Sequence, residues 1–352
     1  MNENTELQND GQSENNVEIP EEYPTEEENP SEEYAESRVS AVLKRVLNKK
    51  VIALVVAVIV FLQAVTGAVL SGIVLNADKF AVSEKADLVF KGELSEKTHI
   101  EWFKSKATDK YAENSEKRKL HAFELKNYDT SHSYVIMCHP MTATAEDMAV
   151  YAYHFYDFGF NVILPEAGGY GESEYKKINM GWFDRYDIVS WAQKIVDEDE
   201  KASIFLFGAG MGGSTVLMAS SLDLPANVKG IISDSGYSDV GKAFKENIKD
   251  VYGLPAFPVV NFASLYVKIF EGWSFGEADA LEQVKNSKVP VLIIHGGEDE
   301  VIPVSQSNDL FEASPVKKSD HLLISGATHL QTLKTNPEKY WMNVDSFILN
   351  NI

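Results

Sequence analysis

Short apolar runs alternate with helix-prone segments along most of the chain. The first run, 119–127, alternates apolar and polar side chains as a half-exposed strand does, and the later runs are almost continuously apolar, as strands covered on both faces are. These later runs are 134–139, 161–166, 203–208, 230–235, 290–296 and 321–325. Helix-prone segments such as 148–159 and 185–199 separate them. The alternation predicts an α/β fold with a mostly parallel, doubly wound sheet.

The mixture of apolar and polar residues over 80–352 is typical of a globular domain. Residues 80–116, which include the segment HIEWFKSKA, are predicted to be mostly helical. An aromatic-rich insertion at 240–288 precedes the run at 290, and we expect it to form a small helical cap over the carboxyl edge of the sheet. Its aromatic side chains suit either the core of the cap or the wall of an apolar ligand pocket: Phe257, Phe262, Tyr266, Phe270 and Trp273.

Residues 51–75 contain no charged side chain. A helix of that length spans about 37 Å, enough for a hydrocarbon core of about 30 Å with some tilt. We therefore predict a single transmembrane anchor. A signal peptide is the alternative, but its apolar region is normally about 7–15 residues long and ends in small residues at a cleavage site. Gly67 and Ser71, four residues apart, would allow close packing on one helix face, for example in a dimer.

Charges on either side of the apolar segment predict its orientation. The residues directly before it include Lys44, Arg45, Lys49 and Lys50, whereas Asp78 and Lys79 cancel each other after it. The positive-inside rule then places the N-terminus in the cytoplasm and the C-terminal domain outside the cell membrane.

The N-terminal residues are strongly acidic. Residues 1–37 contain thirteen Asp or Glu and no Lys or Arg, and with few aliphatic residues they are predicted to form a disordered acidic tail, followed by a basic juxtamembrane segment at 38–50. The tail either remains solvated or recruits a cytoplasmic partner, in which case the outer domain could act as a sensor. The net charge of −21 argues against a nucleic-acid partner.

Residues 205–215, FLFGAGMGGST, have the form of a strand, a sharp turn and a helix. This is the arrangement in which the motif G-x-S-x-G displays a nucleophilic serine. Gly208 and Gly212 hold the outer glycine positions here, but the middle position is Gly210. The question for function is whether chemistry survives without that side chain.

Two further residues follow apolar runs, at the sheet edge where α/β proteins place their chemistry. Asp299 follows the run at 290–296, and His329 follows the run at 321–325. A carboxylate can hold one imidazole tautomer while the ring transfers a proton. The chain order of elbow, acid and base is the order of the α/β-hydrolase fold.

With these motifs in view, residues 119–350 resemble an α/β-hydrolase of the membrane-anchored, serine-aminopeptidase-like and lysophospholipase-like branch. The resemblance is carried by several blocks besides the elbow: HPMTATAEDM, PEAGGYGES, MGWFDRYDIVSW, LPAFPVVNFASL, HGGEDEVIP and GATHLQTLKTNPEKYW. It implies an α/β-hydrolase fold with a small helical cap behind one transmembrane helix.

The resemblance also implies roles for single residues. Asp299 fits the acid, His329 the base, and Gly210 stands at the nucleophile position. Met141 and Met211 fit the two positions whose backbone N–H groups form the oxyanion hole. Two further departures accompany Gly210: Pro140 replaces a glycine after His139, and Gly168 replaces an arginine.

No other side chain is well placed to substitute for the serine. Ser214 and Thr215 follow the elbow within the next helix, Ser235 follows a different strand, and Cys138 precedes the oxyanion turn. A nucleophile and its base must approach within about 3 Å. We expect Cys138, the single cysteine, to be a core residue and His139 to pack or bond to the backbone.

The sequence thus predicts a membrane-anchored hydrolase relative of the ester or peptide type whose catalysis is impaired, or a binding pseudoenzyme. The alternative is an active hydrolase of esters, lysolipids or peptides that uses water activated by Asp299 and His329, or a relocated nucleophile. Neither reading requires a cofactor or a metal. The expected ligand is a small apolar acyl or peptide group.

Overall fold

A computed structural model describes residues 30–46, 49–76 and 94–352. The chain divides into two compact units, Met1–Val58 and Ile59–Ile352, and each is considered separately. Most of the predicted acidic tail lies outside the described residues, as do residues 77–93 of the region predicted to be helical.

The first unit contains helix α1 and the start of helix α2. Helix α1 runs Pro30–Val46, so residues 30–37 are helical where the sequence predicted disorder. Proline at the first position fits a helix start, and Lys44 and Arg45 in the last turn complement the helix dipole. The predicted basic juxtamembrane segment, 38–50, falls partly on residues 47–48, which lie outside the described residues.

Helix α2, Lys49–Val74, contains the predicted anchor. Among the described helices, α2 is the one that is long and apolar enough to cross a membrane by itself. Most of its side chains are exposed in the absence of lipid, as expected for a span. From Ile59 onward the helix belongs to the second unit, where its last turns bury Gly67, Leu70, Ser71 and Val74.

The second unit is built on one eight-stranded sheet with the order β1-β2-β4-β3-β5-β6-β7-β8. The strands are β1 Thr108–Glu113, β2 Lys119–Leu125, β3 Ser133–Cys138, β4 Asn161–Pro165, β5 Ser203–Ala209, β6 Val228–Asp234, β7 Val291–Gly296 and β8 Asp320–Ile324. Strand β2 pairs antiparallel with β1 and β4, and all other pairs are parallel. The predicted mostly parallel, doubly wound sheet is confirmed.

The remaining helices are α3 Lys97–Lys106, α4 Ala149–Asp157, α5 Asp184–Glu198, α6 Met211–Ala219, α7 Val240–Tyr252, α8 Ala256–Phe270, α9 Ala280–Val284, α10 Val304–Ala313, α11 Thr332–Thr335 and α12 Pro337–Leu349. Helices α3, α4 and α12 contribute to one apolar cluster, and α5, α6, α9 and α10 to another. Covering both faces in this way explains why β3 to β7 are almost continuously apolar.

Strand β1 is a second element that the sequence analysis got wrong, because residues 108–113 were predicted to be helical. Its residues TDKYAE are exposed or half-buried and carry no apolar run. The strand exists because it pairs with β2 along its whole length. Lys110 also forms ion pairs with Glu124 of β2 and Glu198 of α5, which only the folded chain brings together.

The insertion between β6 and β7 forms the cap, made of α7, α8 and α9. Helix α7 ends at Gly253, whose positive φ of 66° lets the chain turn back. Helix α8 then runs at 117° to α7. The cap therefore presents two differently directed helices, and only one of them, α7, lines the pocket described below.

Candidate active site

The elbow is a tight turn between β5 and α6. Gly210 has φ 53° and ψ −118°, and its N–H donates to the Asp234 carbonyl (2.8 Å). A Cβ at Gly208 would lie 2.1 Å from the Gly212 oxygen, and one at Gly212 would lie 2.1 Å from the Cys138 oxygen. The outer glycines are therefore required by close packing of backbone on backbone, whether or not a nucleophile is present.

Asp299 and His329, the residues predicted as acid and base, lie together at the carboxyl edge of the sheet. The Nδ1 of His329 lies 2.8 Å from Oδ2 of Asp299, and Oδ1 of Asp299 accepts hydrogen bonds from the N–H groups of Val301 (2.9 Å) and Ile302 (2.8 Å). Burial by itself raises the pKa of the Asp299 carboxyl, but His329 beside it and these donors hold that pKa below its ordinary value. An ionised Asp299 fixes the tautomer that leaves Nε2 of His329 as the proton acceptor.

A second histidine, missed by the sequence analysis, supports the acid. His295, at the end of β7, is fully buried, and its Nε2 donates to the Ile302 carbonyl (2.7 Å) and lies 3.4 Å from Oδ2 of Asp299. Burial lowers the pKa of His295, so the ring stays neutral. It anchors the turn that presents Asp299. The only signal in the sequence was its place at the end of an apolar run.

The predicted oxyanion residues lie on both sides of the elbow. Met211 is the first residue of α6, and Met141 follows β3; among the described residues neither N–H has a hydrogen-bond acceptor. His139 holds the second turn, because its Nδ1 donates to the Pro140 carbonyl (2.9 Å) and its Nε2 accepts from the Ala167 N–H (3.1 Å). The expectation that His139 bonds to the backbone is confirmed.

Space at the apex of the elbow is limited. A Cβ on Gly210 would lie 3.0 Å from the Cβ of Pro140 and 3.6 Å and 3.7 Å from the two methyl carbons of Leu330. The Leu330 contacts are ordinary van der Waals distances, but the Pro140 contact is tight. A side chain at position 210 would therefore meet Pro140 before anything else.

An apolar pocket opens beside the apex. Its lining residues are Met141, Met180, Gly210, Met211, Ser235, Tyr237, Val240, Ala243, Phe244, Ile302 and His329. The cap contributes α7 residues to this wall. The aromatic residues that the sequence analysis considered for the wall are not among them: Phe257 and Phe270 are exposed, and Trp273 is buried elsewhere in the cap.

Comparisons with known proteins agree with this architecture. A family model described as serine aminopeptidase, S33, matches residues 129–260. An uncharacterized protein of Bacillus subtilis is 24% identical over 236 residues, which cover 65% of this chain and 77% of the relative. An uncharacterized membrane protein of Saccharomyces cerevisiae is 22% identical over 233 residues, covering 66% of this chain and 75% of that protein.

Among solved structures, an esterase of Pyrococcus furiosus superposes with a TM-score of 0.57 at 20% identity, covering 70% of this chain and 91% of that one. The chain therefore has the α/β-hydrolase fold. Likeness at this level of identity establishes the fold, while the chemistry of this chain depends on its own site residues.

Other hydroxyl and thiol groups near the site have structural partners. Ser214 accepts from the Tyr237 N–H (2.8 Å) and donates to the Tyr237 carbonyl (2.9 Å), and Thr215 donates to the Met211 carbonyl (2.8 Å). Cys138 is buried, and burial raises the pKa of its thiol, so a reactive thiolate is disfavoured. These three side chains do not line the pocket.

Ser235 is the exception, since it lines the same pocket as His329. It follows β6 with a positive φ of 55°, an unusual conformation for a residue other than glycine. Its hydroxyl donates to Oδ1 of Asp234 (2.9 Å). The Ser235 hydroxyl proton is thus engaged by a buried carboxyl.

Backbone strain gathers around this pocket. Five residues other than glycine have a positive φ within the described ranges, and four of them line the pocket or adjoin a residue that does: Thr142, Met180, Ser235 and Leu330. Strained conformations of this kind collect at functional sites. The pocket therefore has the backbone character of a binding site.

The departure at Gly168 has a local explanation. The Gly168 N–H donates to Oδ1 of buried Asp184 (2.8 Å), and Nδ2 of Asn179 donates to the same oxygen (2.9 Å). A Cβ on Gly168 would lie 2.5 Å from Nδ2 of Asn179. An arginine at position 168 would require Asn179 to move. Glycine at this position therefore leaves the space that the Asn179 side chain occupies.

Proposed function

We propose that this chain is a membrane-anchored α/β-hydrolase-fold protein that binds an apolar acyl or peptide ligand and has lost the acyl-transfer chemistry of its superfamily. The observation that carries the proposal is Gly210 at the apex of the elbow, with Pro140 close above it. A bare α-carbon has no hydroxyl or thiol to form an acyl-enzyme.

Magnitudes support a binding role over turnover. Loss of a triad nucleophile lowers kcat about 10⁶-fold, while substrate binding and an oxyanion hole alone retain about 10³–10⁴ over water. The pocket wall, with three methionines beside Val240 and Phe244, suits an acyl chain or an apolar peptide side chain.

A second candidate is slow hydrolysis by an activated water. It is favoured by the intact pair of His329 and Asp299 and by the two available N–H groups of Met141 and Met211. A water beside Nε2 of His329 would lose its proton to that nitrogen as it attacks the carbonyl carbon. General-base catalysis of this kind contributes roughly 10²–10⁴-fold.

We also propose that α2 anchors the protein in the cell membrane as a single span, with the N-terminus cytoplasmic and the hydrolase domain outside. Lys44, Arg45, Lys49 and Lys50 before the apolar segment support this orientation. Cleavage of a tag on the intact cell surface, at the C-terminus but not at the N-terminus, would test it.

The nucleophile proposal is tested by restoring the serine in the full-length chain. Gly210→Ser alone is expected to gain little esterase activity, because its Cβ contacts Pro140. Gly210→Ser combined with Pro140→Gly is expected to gain orders of magnitude against short p-nitrophenyl esters and to react with a fluorophosphonate at residue 210. Gly210→Ala is the matched control for the added Cβ.

Three outcomes would decide against parts of this proposal. Covalent labelling of the wild-type chain would overturn the loss of the nucleophile. Wild-type hydrolysis that His329→Gln abolishes would select the activated-water mechanism. A folded double variant that stays inactive would contradict the oxyanion roles of Met141 and Met211.

A further inference from the structure

The second cap helix, α8, carries a concentrated apolar surface. Phe257, Leu265, Ile269 and Phe270 are 78%, 52%, 65% and 64% exposed, and we call these four side chains the α8 outer face. Tyrosines aside, the other large apolar side chains exposed within 94–352 are scattered: Phe158, Leu323, Met342, Leu349 and Ile352. Four exposed large apolar side chains within one helix, against scattered ones elsewhere, indicate an interaction surface.

Helix α8 also packs directly on the end of α2. A Cβ added to Gly67 would lie 2.7 Å from the Ala263 nitrogen and 2.8 Å from the Phe262 Cβ. The Ser71 hydroxyl lies 2.8 Å from the Gly67 carbonyl and 3.2 Å from the Ala263 carbonyl. The small residues four apart in α2 therefore allow close packing as predicted, but their partner is α8 of the same chain.

This contact sets the depth of α8 relative to the apolar segment. Gly67 and Ser71 precede the end of that segment at Leu75, and at 1.5 Å per residue they lie about 6–12 Å inside it. Amphipathic helices that lie in the membrane interface bury their apolar face by about 5–10 Å. A helix touching Gly67 and Ser71 is thus at the boundary between headgroups and acyl chains.

Polar groups around α8 fit that boundary. Near its end, Lys268 is paired with Glu277 (2.7 Å) and Glu271 with Lys177. Asn261 is exposed between the apolar side chains. Charged pairs and an amide are compatible with the headgroup layer, whereas the centre of the hydrocarbon core would exclude them.

We propose that the α8 outer face is embedded in the interfacial layer of the bilayer that α2 enters. The occupant of this surface is lipid, because backbone contact fixes α8 to the last turns of α2. This inference rests on the proposal above that α2 spans the membrane. The cap is then a second membrane contact of the protein.

Fluorescence quenching in nanodiscs that hold one full-length chain each tests this proposal. The native thiol is removed by Cys138→Ala, and a single cysteine carrying an environment-sensitive dye is introduced by Ile269→Cys. The matched control is Met342→Cys, since Met342 is 63% exposed and lies on α12, which packs in the other apolar cluster. Leu265→Cys reports on the same face if the Ile269 variant fails to fold.

The dye at position 269 is expected to show a blue-shifted emission and several-fold stronger quenching by lipids labelled near the headgroup than the dye at 342. Iodide in the aqueous phase should quench position 342 more strongly. Equal behaviour of the two positions would overturn the proposal. A second result would also overturn it. If iodide reaches position 269 in discs with one chain but not in vesicles at high protein density, the face is covered by a second copy of the chain and not by lipid.

Discussion

The two halves of the candidate active site differ in what holds them. The acid–base half, Asp299 and His329, keeps its side chains and its hydrogen bonds. The nucleophile half keeps only a backbone shape, since Gly210 has the conformation of an elbow and no side chain. The geometry of an elbow and its chemistry are therefore separable.

Each half has a structural reason to persist. Asp299 accepts two backbone hydrogen bonds in its own turn, a task that does not depend on a nucleophile. In the other half, Gly208 and Gly212 allow β5, α6 and the end of β3 to approach closely. The presence of a pair of catalytic type is thus weak evidence for turnover when the same groups hold the fold.

The largest effect that would sharpen this contrast is kinetic. In the chain carrying Gly210→Ser and Pro140→Gly, a further Asp299→Asn is expected to lower kcat about 10⁴-fold, because the wrong imidazole tautomer is then favoured. Steady-state hydrolysis of p-nitrophenyl acetate measures it. A change confined to KM would contradict the proposed role of Asp299 as the acid.

A smaller effect concerns packing at the elbow. Gly212→Ala should lower the free energy of unfolding by about 3 kcal/mol, since its Cβ would collide with the Cys138 backbone. Gly297→Ala, near Asp299, is the control, because the nearest atoms there are 3.4 Å away. Thermal unfolding in detergent compares the two variants. An equal loss of stability would contradict the claim that backbone packing is tighter at the elbow than near Asp299.

The acid should also make stability depend on pH. Because the pKa of Asp299 is lowered in the folded chain, the ionised carboxylate stabilises the fold above its unfolded-state pKa, and this contribution is lost as pH falls through the folded-state pKa. We expect Asp299→Asn to cost about 1.5 kcal/mol at neutral pH, the lower end for hydrogen bonds to charged groups. We expect the difference in free energy of unfolding between the wild-type chain and Asp299→Asn to be smaller at acidic pH than at neutral pH, as measured by unfolding at both.

The smallest expected effect is that of Ser235→Ala. The Ser235 hydroxyl contributes one hydrogen bond to Asp234, so a loss of about 1 kcal/mol in stability is expected. Any slow ester hydrolysis by the wild-type chain should be unchanged. If the folded Ser235→Ala variant lost all hydrolysis, Ser235 would be the nucleophile, and the elbow at Gly210 would not be the half of the site that lost its chemistry.

Much of the fold could be predicted because its signals are local. Seven strands are apolar or alternating runs, and the elbow is marked by glycines within a few residues. Strand β1 has no such pattern and forms only by pairing with β2. The sequence left the aromatic residues within 257–273 of the insertion open between cap core and pocket wall, and none of them lines the pocket, because composition does not tell which cap helix faces the sheet edge.

The sequence by itself determined most of the strands and their order, the long apolar segment, and the absence of a side chain at Gly210, since each depends on residues close together in the chain. Only the tertiary structure decided that Pro140 stands over Gly210, that His295 supports Asp299, that Ser235 enters the pocket, and that α8 packs on α2. These facts depend on contacts between residues far apart in the chain, whose distances are set by packing of the whole domain.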